Sequence, residues 1–179
     1  MKFLKISGIV LSILIVVLAL LTFVLPTSFS VEERIEIQAE KEVVYPYLSS
    51  FKMTNTWSPW ANLDPEMEQW IEGTDGEVGA KYFWKGNDQA GEGYQEFILI
   101  EANRIEVDLV FLAPFESTAH TYFEMEENNH LTDVIWGFQS EMPRPYNLMS
   151  LFFDLEEEIS KDYNKGLKNL KSLVESKQN

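Results

Sequence analysis

The C-terminal segment sets the constraint that the rest of the chain must meet. Leu148, Leu151, Phe152, Leu155, Ile159, Tyr163, Leu167, Leu170 and Val174 recur at steps of three or four, while Glu156, Glu157, Lys161, Lys168 and Lys171 fill the opposite side. This period predicts one amphipathic helix of ~28 residues starting near Tyr146, with Asn147 as its N-cap and lysines suited to its C-terminal dipole. Such a stripe needs an apolar partner. The preceding segment supplies it: the runs at 70–74, 80–86, 93–102, 104–111, 117–126 and 131–139 read as strands. Short turn signals separate them, among them Thr74-Asp75-Gly76, Gly86-Asn87-Asp88 and Glu127-Asn128-Asn129, so the strands form an antiparallel meander. Pro143 and Pro145 close this region.

Upstream, Val31, Glu33, Ile35, Ile37 and Ala39 alternate with Glu32, Arg34, Glu36 and Gln38, the period of a further half-buried strand. Val43, Val44, Tyr47 and Leu48 are spaced for a short helix containing Pro46, and the stretch from Thr54 to Met67 reads as loop or a second short helix. The expectation is one α+β domain over residues 31–179: a twisted antiparallel sheet of about seven strands with the final helix laid across it.

Residues 1–30 are different in kind. From Ile6 to Leu25 there is no charge, and ~20 residues at ~1.5 Å each span a bilayer core. Pro26 ends the run. A cleaved signal peptide is the rival, but its apolar stretch is usually ~7–15 residues, and Ser28-Phe29-Ser30 is a poor cleavage site. The reading is a single-pass anchor. Lys2 and Lys5 precede it and acids follow it, which sets the N-terminus in the cytoplasm and the domain outside.

The chain's 14 Lys and Arg against 29 Asp and Glu give a net charge of −15, which excludes nucleic acid as a partner. It also leads to the expectation that the domain stands off an anionic membrane surface. With no cysteine, disulfides, thiolate metal sites and Cys nucleophiles are excluded, and nothing in the sequence calls for a metal or cofactor.

Five Trp, seven Tyr and twelve Phe exceed what an ordinary core of this size needs. Tyr82 and Trp84 share one strand face, and Val134, Trp136 and Phe138 share another. With Leu148, Leu151, Phe152 and Leu155 they would line a gap between sheet and helix, either packed solid or open to a ligand. Tyr82, Gln95 and Thr132 are candidate polar groups to orient such a ligand. The inward face of 93–102 is ambiguous, because both of its faces are mainly apolar. His120 shares the outward face of its strand with Thr118, Tyr122 and Glu124, and is a weak candidate for a general base. Gly86, Gly91 and Gly93 read as hairpin glycines at positive φ.

The order of elements, together with WSPW at 57–60, Asp64-Pro65, WKGNDQAGEG at 84–93, Thr132-x-Val134-x-Trp136 and GLKNLKSLVE at 166–175, resembles the polyketide cyclase/START-like (SRPBCC, Bet v 1-like) superfamily of helix-grip proteins. The likeness covers roughly Val31 to Glu175. It implies a sheet wrapped around the long helix with an apolar cavity between, and a cap or seal formed by WSPWANLDP. It also implies binding of a hydrophobic or aromatic small molecule by Trp57, Trp60, Tyr82, Trp84, Phe97, Thr132, Val134, Trp136, Phe138, Leu148, Leu151, Phe152 and Leu155. The superfamily also contains cyclases and an Hsp90-ATPase activator, so enzyme and protein-interaction readings stay open.

Overall fold

A computed structural model describes residues 2–177. Helix α1 (Lys2–Val24) leads into β1 (Ser28–Ile37), followed by short helices α2 (Lys41–Leu48) and α3 (Phe51–Thr54). Six further strands follow: β2 (Glu68–Glu72), β3 (Lys81–Lys85), β4 (Glu92–Ile100), β5 (Arg104–Ala113), β6 (Ser117–Asn128) and β7 (Leu131–Glu141). A 3-10 helix, η1 (Tyr146–Leu151), precedes the final helix α4 (Leu155–Ser176). All strands pair antiparallel in the order β1-β7-β6-β5-β4-β3-β2. The first strand therefore closes on the last one, and the remaining strands form the expected meander.

Alternation decides which side faces α4. Ile105 and Val107 on β5, Thr121, Phe123 and Met125 on β6, and Thr132, Val134, Trp136 and Phe138 on β7 are buried, whereas Glu106, Glu124, Asp133 and Ile135 between them are only half-buried on the opposite face. On β4, Phe97 is buried and the register shifts between Phe97 and Leu99. That bulge reverses the parity, so Gln95 and Phe97 face α4 before it and Ile100 packs on the core after it. The ambiguity of 93–102 thus has a physical origin: both faces are used in turn.

The long helix is shorter than its apolar stripe predicts. Asp154, not Asn147, is the N-cap, its carboxylate accepting from the Glu157 amide. Asp154 and Glu157 have capping-box spacing, and Glu156, Glu157 and Glu158 favour the helix N-terminus. Leu148 and Leu151 lie on η1 instead, and Phe152 caps it. Asn147 is fully buried and donates to the Thr22 and Leu25 carbonyls at the end of α1, while Arg144 donates to Thr22 as well. A helix terminus with unpaired carbonyls is thereby closed by the loop after β7.

Gly166 lets α4 approach closely, since a Cβ there would meet the Trp136 ring at 2.7 Å and Pro59 at 3.1 Å. In an isolated helix alanine would be the better residue. Here Gly166→Ala should lower stability by about 1–3 kcal/mol through overpacking, read as a fall in Tm by calorimetry.

Candidate functional site

The layer between sheet and α4 has two ends with different character. At the end near α2 it is solid. Trp136 stacks on Tyr163 at 3.8 Å, and Trp57 and Trp60 meet Trp136 edge-on at 5.1 and 5.7 Å. Phe123 packs against both Trp57 and Trp136. Polar atoms in this stack are satisfied. Thr121 Oγ1 donates to the Gly137 carbonyl and accepts from Trp136 Nε1 and the Tyr163 hydroxyl, both at 3.0 Å. Trp57 Nε1 donates to the Tyr47 carbonyl, and Trp60 Nε1 to Asp162 on α4. The WSPW segment is therefore a seal on the core edge.

Phe51, Phe97 and Tyr82 form a second aromatic group, with Phe51 stacked on Phe97 at 3.9 Å. Trp84 lies against Gly93 and Phe111, and its indole donates to the Ala90 carbonyl in the following hairpin. Within that hairpin Gly91 alone of the three glycines has positive φ. Gly86 and Gly93 are there for space, Gly93 because a Cβ would collide with Trp84 and the Val110 carbonyl. Val134 is fully buried, and the Thr132 hydroxyl, also fully buried, is committed to the Ala39 carbonyl at 2.7 Å.

The thirteen residues named from the sequence do not surround one void. Trp57, Trp60, Trp136 and Phe138 gather at Tyr163, Tyr82 and Phe97 gather at Phe51, and Leu151 and Phe152 stand exposed outside the layer. Tyr163, the ring on which Trp136 rests, is the residue that sequence reasoning passed over. It stood in the apolar stripe as one hydrophobe among nine, although a tyrosine hydroxyl amid aliphatics signals a buried hydrogen bond.

The other end of the layer is open. A cleft of about 810 Å³ wraps this end of the sheet, lined by Phe29, Leu109, Ala119, Ser140 and Glu156 on the helix-facing side and by Ser28, Ser30, Asp108, Val110, Thr118, His120, Gln139 and Glu141, which alternate onto the outer side. The register explains it. Tyr82, Gln95, Leu109, Ala119, Ser140 and Phe29 form one row across six strands on the helix-facing side. Its centre holds the two small residues Ala119 and Ser140, and Glu156 approaches from the first turn of α4. Burial raises the Tyr82 hydroxyl above its ordinary pKa.

On the outer face, His120 Nδ1 lies 3.1 Å from Asp108 and Nε2 3.6 Å from Glu106. Arg104 bridges Glu106 and Glu124 and lies over the Tyr122 ring. Tyr122 itself lies flat across Gly137 and donates to Glu32. Among the described residues no group of three His, Asp or Glu is placed to hold a metal ion.

No family model matches this chain, and no curated protein matches it by sequence. Solved structures do share its shape. The di-domain aromatase/cyclase StfQ of the steffimycin biosynthetic pathway aligns at TM-score 0.61 and 10% identity, over 85% of this chain and 52% of that one. Ara h 8.0201 aligns at 0.57 and 11%, covering 83% and 99%. The Aha1 dimer from Colwellia psychrerythraea aligns at 0.54 and 18%, covering 82% and 96%. The fold is the helix-grip architecture of these proteins, as the sequence resemblance implied.

Two tyrosines give the domain an alkaline limit. Burial and the Glu32 carboxylate push Tyr122 up to about 12, and burial pushes Tyr163 up as well. Below the unfolded value of about 10 both contribute fully. As pH rises from there through the folded values, the unfolded chain loses protons that the folded one keeps, so stability falls. Urea unfolding from pH 8 to 12 should show a loss beginning near pH 10, and Tyr122→Phe should shrink it.

Proposed function

We propose that this chain is a single-pass membrane protein with its N-terminus in the cytoplasm and residues 31–179 outside. The outer domain binds a hydrophobic or aromatic small molecule between its sheet and final helix. Residues 6–25 act as the anchor in this reading. The described helix is long and apolar enough to cross a bilayer, and its side chains are almost all exposed, as a lipid-facing helix requires.

One observation carries the binding proposal: the cleft of about 810 Å³ at the end of a layer otherwise filled with aromatic rings, with Phe29, Leu109, Ala119, Ser140 and Glu156 as its helix-facing wall. That volume falls within the ~300–1,000 Å³ of typical ligand pockets. Its floor offers Phe29 and Leu109 for apolar contact, and the small Ala119 and Ser140 leave room. Gln95 and Tyr82 continue the same row and would supply polar contacts at its far end. Burying ~200 Å² of apolar ligand surface would contribute roughly 5 kcal/mol before the costs of association. The ligand site moves, on this reading, from the tryptophan cluster to the row through Ala119.

Ala119→Phe would fill the cleft without touching the tryptophan stack. Native mass spectrometry of the full chain released from detergent should show a bound small-molecule adduct in the wild type that is lost, or weakened at least about tenfold, in the variant. Circular dichroism checks that the variant folds. Wild-type protein without any adduct, or equal adducts in both, would contradict the proposal and favour the protein-interaction reading.

A further inference from the structure

The end of the sheet where the cleft opens is also the end from which α1 departs. Ser28 pairs with Glu141, and the Met142 amide donates to the Thr27 carbonyl, so the start of β1 and the end of β7 stand level. From there η1 turns back onto the last residues of α1, held by the Asn147 and Arg144 side chains, with Arg144 over the Phe23 ring. The β5–β6 hairpin reaches the same level. Ala119 pairs with Ser140, so by the same register Ser117 stands level with Met142 and the tip at Phe115 extends two residues further.

The side chains presented at this end are apolar and uncovered. Phe115 is 80% exposed, Phe152 76%, Tyr146 66% and Phe153 58%, with Leu112 and Met149 also exposed. Charge singles out the same segments. In a chain with 29 acidic residues, 142–153 contains none and has one basic residue, Arg144, while 109–115 has no charge at all. Acids resume immediately on either side, at Glu141, Asp154 and Glu116. Solvent contact alone gives no reason for two separate segments to lose both their acids and their apolar cover at one end of the molecule.

We infer that η1 with Phe152 and Phe153, together with the β5–β6 hairpin tip, forms an apolar collar that seats the domain on the bilayer surface around the exit of α1. The inference rests on the anchored reading of residues 6–25. It commits to lipid because the η1 part of the collar is tied to the end of the anchor through Asn147 and the preceding Arg144, at the depth where aromatic side chains favour the headgroup boundary. The expectation that the acidic domain stands off the membrane is replaced at this end: the repelled charges are elsewhere, and the acid-free collar makes the contact. Seated in this way, the cleft beside Ser28, Thr118 and Glu141 opens at the headgroup layer. The ligand class is then an amphiphile drawn from the membrane, not a solute from bulk water.

The chain's lack of cysteine makes the test direct. Single variants Phe152→Cys, Phe115→Cys, Asn129→Cys and Val16→Cys of the full chain are labelled with an environment-sensitive nitrobenzoxadiazole dye in phosphatidylcholine nanodiscs. Blue-shifted emission at 152 and 115, quenched by brominated acyl chains, is expected, with no quenching at 129 on the opposite end. Quenching at 16 but not at 152 and 115 overturns the collar and leaves the anchor standing. A blue shift at 152 without bromine quenching assigns the face to a protein contact and also overturns it. Absence of quenching at 16 removes the anchor, and the collar with it.

Discussion

The contact between Trp136 and Tyr163 decides how the rest of this molecule is arranged. It joins the middle of β7 to the middle of α4 face to face at 3.8 Å, and Thr121 beneath it accepts a hydrogen bond from each ring system. In a low-dielectric layer those three polar atoms would be costly unpaired, so the helix has one rotation and one height at which all are satisfied. Gly166 then allows the approach, and Trp57 and Trp60 close over the side. The layer is fixed from this point outward.

The open end follows from where α4 begins. Had it started at Tyr146, nine further residues would have extended it by ~13 Å along the sheet. The cap at Asp154 stops it short, and the row through Leu109, Ala119, Ser140 and Phe29 borders the cleft at the helix's first turn. The excised segment serves the end of α1 instead. One local choice of cap thus creates the cleft and exposes the aromatic residues of η1.

Element order was legible in the sequence because period two and period 3.6 are physical consequences of strand and helix geometry. The meander and the stripe from Ile159 to Val174 stand where the pattern predicts, and the first strand starts three residues earlier than its alternation, at Ser28. The start of the last helix was not legible from periodicity, since Leu148, Leu151 and Phe152 continue the stripe numerically. The competing signal was Asp154 with Glu157, a cap that a hydrophobic count does not weigh. Site residues were less legible still. Trp57 and Trp136 were named as lining a ligand space, but periodicity gives the face of a residue and not whether the space before it is full. The small residues Ala119 and Ser140, which leave the space, carry no sequence signal of their own.

The central claim is that ligand space lies beside Ala119 and not among the tryptophans. Five indole N–H resonances and the alanine and leucine methyls report on the two ends separately, so an NMR titration of the full chain with a short-chain lysophospholipid below its micellar concentration compares them in one experiment. The account predicts saturable shifts at the Ala119 and Leu109 methyls with the Trp57 and Trp136 indoles unmoved. Shifts concentrated on those two indoles, with Ala119 and Leu109 unchanged, would contradict it.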